Sequence, residues 1–169
     1  MSAHPEAVYE IVAAAGGRLV GKTRLQKTAY ILEISELGFG FSFSYHYFGP
    51  YSHDVTASTA DARADCLVEE REEVASWGGA YSVFLADVAN RQCKDERFEC
   101  IIQIASRADP VALELAATAA FLKLEGFDDA WAETSRRKPS KATDDRLRGA
   151  RELWAQLRQV PVPKELPAL

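Results

Sequence analysis

The chain has 169 residues, of which 47% are hydrophobic and 27% charged. That balance is that of one globular domain with a real core, and it excludes a disordered or low-complexity chain. A net charge of −5 opposes nucleic-acid binding unless basic groups cluster, and no apolar run reaches the ~18–20 residues of a membrane span.

Pro5 opens a helix over 5–15 in which Val8, Ile11, Val12 and Ala15 recur at helical spacing, and Gly16-Gly17 stops it. Arg18-Leu19-Val20 is a short extended bridge. A helix over 22–37 follows, with Leu25, Ala29, Leu32 and Glu36 on one side, widened by Ile31 and Ile34 and ended by Gly38 and Gly40. Phe41 to Tyr47 alternates aromatic with small or polar residues, the period of a half-buried strand, which Gly49-Pro50 should end. Ser52 suits the N-cap of a helix through Asp65. Two β-capable runs around Gly78-Gly79 predict a hairpin over 67–85.

Beyond Asn90 the pattern is helical, with helices near 95–106, 110–125, 128–137 and 143–159. Asp109-Pro110 starts the second, and Lys138-Pro139-Ser140 separates the last two. Val160 to Leu169 reads as an extended, loosely held tail. The expected fold class is α+β, mostly α-helical, in a single domain over 1–160. It comprises a winged-helix-like portion over 1–90 and a helical portion over 91–160, with the tail over 161–169.

Cys66, Cys93 and Cys100 fit neither a disulfide framework nor a zinc knuckle. Buried or half-buried thiols in a reduced, cytoplasmic protein are the expectation. Met1 to Glu6 has neither the basic nor the apolar region of a signal peptide.

Gly16-Gly17-Arg18-Leu19-Val20-Gly21-Lys22-Thr23 matches the phosphate-binding P-loop letter for letter. That loop needs a buried parallel strand before it, whereas Val8–Ala15 has helical period, and no βαβ alternation follows. The match is expected to be fortuitous. The order of elements up to residue 85 is instead that of a winged helix, with helix 52–65 as reader and hairpin 67–85 as wing. Asp54, Asp61 and Asp65 against Arg63, and Glu69, Glu70, Glu72 and Glu73 against Arg71, give both elements the wrong sign for DNA.

Two motifs stand out together: Arg24-Leu25-Gln26-Lys27, with Lys22 and Tyr30 on the same predicted helix, and Phe48-Gly49-Pro50-Tyr51-Ser52. Gln26 is placed to hydrogen-bond irregular backbone around Gly49-Pro50, where no ladder satisfies the amides. On these motifs and the Lys138-Pro139-Ser140-Lys141 break, the chain resembles the YwgA-like proteins over nearly its full length. Over its first 90 residues it resembles, more distantly, the Panacea domain of SocA-like antitoxins. The second resemblance implies an adaptor or antitoxin that binds a partner protein, such as a toxin or a protease substrate, without catalysis.

The expected partner-binding residues are Lys22, Gln26, Lys27, Tyr30, Tyr45, Tyr47, Phe48, Tyr51, His53 and Asp54, since aromatic rings dominate interface hot spots. A purely structural role for this aromatic turn is the competing expectation. His46, His53 and Asp54 lack a third ligand at a supporting spacing, so neither a metal nor a catalytic site is expected, and no cofactor. The basic stretch Arg136, Arg137, Lys138 and Lys141, continued by Arg146, Arg148 and Arg151, is expected to be a solvated helix face with an Arg148/Glu152 pair. Its first four residues are the candidates for the alternative function, nucleic-acid binding.

Overall fold

A computed structural model describes residues 4–169; the expectation for Met1–Ala3 lies outside the described residues. Among the described residues α1 (Pro5–Ala14), β1 (Arg18–Val20) and α2 (Lys22–Ile34) come first. A short hairpin, β2 (Ser44–His46) and β3 (Gly49–Tyr51), leads into α3 (His53–Ala64), followed by β4 (Glu69–Val74) and β5 (Ala80–Leu85). The second half is helical: α4 (Glu96–Arg107), α5 (Pro110–Leu124), α6 (Ala130–Arg137) and α7 (Asp144–Arg158). The fold is α+β and mostly helical, as composition and periodicity predict. No described helix is long and apolar enough to cross a membrane.

α5 is the axis of the molecule. Every residue from Ala112 to Ala120 is buried, the pattern of a helix enclosed on all sides, and α2, α6, α7 and β3 pack around it. Its start is set locally: the Asp109 carboxylate accepts the Ala112 amide at 2.9 Å, with Pro110 in the first turn. The antiparallel sheet runs β1-β5-β4, with Leu19 opposite Phe84 and both side chains in the core. Ser52 caps α3 through its hydroxyl, which accepts the Val55 amide at 3.3 Å.

The structure corrects several expectations. α2 stops at Ile34 rather than 37, because Glu36 adopts φ 60° and turns the chain. The strand expected over 41–47 shrinks to Ser44–His46. The Glu33 carboxylate takes the amides of Phe39, Gly40 and Phe41, and Asp54 takes that of Ser42, so side chains satisfy backbone that a ladder would otherwise pair. Gly49-Pro50 does not end that strand; it begins the returning strand, with His46 opposite Gly49 and Tyr47-Phe48 as the turn.

All three cysteines are exposed, not buried or half-buried: Cys66 is in the turn after α3, Cys93 in the loop before α4, and Cys100 on the outer face of α4. Arg148 pairs with Asp145 at 3.0 Å, one turn back, rather than with Glu152. The tail is tied down: Leu166 is buried, the Trp154 indole donates to the Pro167 carbonyl at 2.8 Å, and the Lys164 amide donates to Ser35 O at 3.1 Å.

Candidate functional site

Arg24-Leu25-Gln26-Lys27 sends each polar side chain to a different stretch of backbone at a helix end or turn. The Arg24 guanidinium donates to Ala105 O at 2.9 Å and Ala108 O at 2.6 Å, closing the end of α4 where helix carbonyls are orphaned. Gln26 grips Ser52 from both sides: its amide donates to Ser52 O at 3.0 Å and its carbonyl accepts Ser52 N at 2.8 Å. The Lys27 ammonium, fully buried, donates to Pro50 O at 2.7 Å. The contact expected between Gln26 and the turn is therefore present, two residues beyond Gly49-Pro50, and Lys27 serves the turn itself.

The other side of the hairpin rests on a buried ionic cluster. Glu114, on the apolar axis α5, accepts from Lys138 at 2.9 Å and from Lys141 at 2.8 Å. Lys138 also donates to Tyr47 O at 3.0 Å, so the hairpin turn is held from below by a cation anchored to α5. Burial pushes the Lys27 ammonium down to about 7, with Glu114 opposing and Lys138 and Lys141 reinforcing the shift. Gly49 completes the base: its φ is +88°, and the Thr118 side chain of α5 occupies the space a Cβ would need.

The tip is different in character. Tyr47 is 85% exposed and Phe48 48%, with their rings edge to face at 4.9 Å. Beside them, the exposed His46 and His53 and the half-buried Tyr51 form a ring cluster, with centroids 4.8 Å apart for His46–Tyr51 and 5.1 Å for Tyr51–His53. The Tyr51 hydroxyl meets Thr56 Oγ1 at 2.7 Å. Lys141 lies over the Phe48 ring at 4.6 Å, and Arg137 over Tyr45 at 4.7 Å and Phe127 at 5.2 Å.

The remaining candidates fall into three places. Tyr30 is in the core against Phe43 and Phe121, and burial pushes its phenol up. Asp54 is buried and spends its carboxylate on the Ser42 amide. Lys22 is on the surface, 3.5 Å from Glu70, at the mouth of a groove of about 420 Å³ between α2 and α3 that Gln26, Tyr51, Thr56 and Arg63 also line. Among the described residues no three His, Cys, Asp or Glu side chains converge as metal ligands would.

The Gly16–Thr23 segment does not form a phosphate cradle. Residues 18–20 pair with β5, Gly21 N donates to Ser82 O, and the segment is one edge of the sheet. The basic candidates are already engaged. Arg136 and Arg137 share Glu133, which their hydrogen bonds pull down to about 2, while Lys138 and Lys141 share Glu114. Arg136, Arg146, Arg148 and Arg151 are exposed, as a solvated face requires, but Arg137 and Lys141 are half-buried and Lys138 is a core residue.

Glu114 is a site residue that no sequence motif marks. Its signal is its setting, the lone acid in a mostly apolar helix, which must find a buried partner. Comparison of the chain with protein families, with curated proteins and with solved structures returns no match.

Proposed function

We propose that this chain is a non-enzymatic protein-binding module, adaptor- or antitoxin-like as its resemblance to SocA-like domains implies, working in the cytoplasm. It would capture its partner through Tyr47 and Phe48 at the tip of the β2–β3 hairpin. One observation carries the reading: two exposed aromatic rings stand on a backbone immobilised by Gln26, Lys27, Lys138 and Gly49. Large rings held rigidly lose little entropy on binding, and such residues supply most of the energy of an interface. The structural role of Gln26, Lys27, Tyr30 and Asp54 is the support of that tip, not contact with the partner.

The order α1-β1-α2-α3-β4-β5, interrupted by the β2–β3 hairpin between α2 and α3 and with β1 beside β5, supports a winged-helix-like reading of the first half. Nucleic-acid binding is the weaker function for it, since β4 is acidic and Arg136, Arg137, Lys138 and Lys141 all carry ion pairs.

The test is affinity capture from cells with the tagged chain, comparing wild type with Tyr47→Ala/Phe48→Ala. Trp77→Ala, at the other exposed aromatic tip, is the control. Loss of a partner in the first variant alone is expected. Identical partner sets for all three folded proteins would reduce the aromatic turn to a folding device.

A further inference from the structure

Between the hairpin tip and the α6–α7 connection lies a cleft of about 500 Å³, walled by Tyr45 and Tyr47 on one side and by Arg136 to Lys141 on the other. We propose that this cleft receives a short acidic segment of the partner protein, whose carboxylates meet two positively charged clusters while Tyr47 and Phe48 cover its neighbouring side chains. The proposal rests on the protein-binding reading above and adds the chemistry of the bound segment.

The charge count points this way. Glu133 is shared by Arg136 and Arg137, and Glu114 by Lys138 and Lys141. Each carboxylate therefore faces two cations, so each cluster keeps one uncompensated positive charge, in a chain whose net charge is −5. The cleft is a local inversion of the molecule's sign, and an anionic group entering it gains from both clusters.

Besides their shared carboxylates, two of the cations are held in place by aromatic rings. Arg137 lies over the rings of Tyr45 and Phe127, and Lys141 over Phe48. A ring face fixes a cation's position and leaves its charge available to a ligand. Accessibility divides the work: the side chains of Arg136 and Lys141 are 69% and 30% exposed and can touch a ligand. Lys138 is buried and contributes field only.

A peptide fits better than a nucleic acid. A polyanion needs a continuous basic track, but Asp144 and Asp145 open α7 just beyond the cleft, and Glu69, Glu70, Glu72 and Glu73 line β4. Two surplus charges beside exposed aromatic rings suit a few acidic residues flanking an apolar one.

The experiment is an NMR titration of the isotope-labelled full chain with the peptide Asp-Glu-Phe-Glu-Asp. The amide peptide Asn-Gln-Phe-Gln-Asn and a single-stranded DNA oligonucleotide serve as separate arms. Saturable shifts of the Tyr45, Tyr47 and 136–141 amides are expected with the acidic peptide, weakened by salt and absent with the amide peptide. Arg136→Gln/Lys141→Gln should weaken binding about tenfold, and Arg136→Lys/Lys141→Arg should retain it, each variant titrated at a temperature where its own thermal melt shows it folded. No shift, equal shifts from both peptides, or tighter binding of the oligonucleotide overturns the proposal.

The two readings fail separately. If Tyr47→Ala/Phe48→Ala loses a captured partner and Arg136→Gln/Lys141→Gln keeps it, protein binding stands and the acidic segment falls. If the acidic peptide binds but the tip variant captures every partner, the cleft stands and the tip falls.

Discussion

The β2–β3 hairpin stands on buried side chains from α2, α5 and the α6–α7 connection, whereas the β4–β5 hairpin lies along β1 with its charges at the surface. Both end in exposed aromatic residues, Tyr47 and Phe48 on one and Trp77, 80% exposed, on the other. Strands of three residues are too short to hold together in water, so β2–β3 exists only because Lys27, Lys138 and Gln26 take up its backbone groups. The six-residue strands of β4–β5 satisfy one another, and their Glu69–Arg71 pair is decorative. A hairpin that needs the core to exist is a rigid mount; one whose strands pair with each other and whose outer strand carries exposed charges is tolerant of change along that strand.

Mutations at the two hairpins should break this contrast if it is false. The largest effect is expected for Glu114→Gln, which leaves Lys138 buried without its counter-charge and should cost about 3–5 kcal/mol in urea denaturation. Arg71→Ala on β4 should leave the unfolding midpoint unchanged. A mild Glu114→Gln would mean that the β2–β3 mount is not ionic.

The glycines of the two turns sharpen the point. Gly49 and Gly78 both have positive φ, but Thr118 fills the space beside Gly49 while nothing approaches Gly78. Gly78→Ala should cost about 1 kcal/mol, the conformational penalty alone, and Gly49→Ala about 2–3 kcal/mol or more, with the clash added. Equal thermal shifts would show that α5 yields freely at Thr118.

Gln26→Met keeps the volume but orphans Ser52 N and leaves Ser52 O to Thr56 alone, for an expected loss of about 1–3 kcal/mol. Amide exchange should locate the loss at the start of α3. Protection there equal to wild type would mean water replaces the side chain.

The last test is a slope in pH. The Lys27 ammonium is depressed from its ordinary 10.5 to about 7 in the folded chain, first by burial. Between these values the unfolded chain binds the extra proton, so the free energy of unfolding rises with pH. The penalty is complete below about pH 7 and fades as pH rises toward the ordinary value. Measured from pH 7 to 9, the stability of wild type relative to Lys27→Met should climb; a flat difference would mean that Lys27 is solvated.

One member of the hairpin's mount was legible in the sequence. Gln26 beside an apolar face, ahead of a Gly-Pro turn with no ladder, had to seek backbone, and it found Ser52. Ser52 and Asp109-Pro110 announced their helices because a cap and its amide are three residues apart. Other parts were illegible for the same physical reason that makes them matter. Glu33 and Asp54 replaced the ladder over 39–42, which shortened a strand whose alternation was real. The tail's extended composition said nothing of the Trp154 indole that holds Pro167.

The sequence by itself determined where the helices begin, which face of most of them is apolar, and that the P-loop match lacked its framework. Those properties depend on residues within a turn or two of one another, where periodicity and capping act. Only the tertiary structure decided that Glu114 would meet Lys138 and Lys141, that Thr118 would close over Gly49, and that Tyr47 and Phe48 would be left outside. Those outcomes depend on how α5 is enclosed by elements distant in the chain, and burial of a charge or a ring is a property of the packed whole.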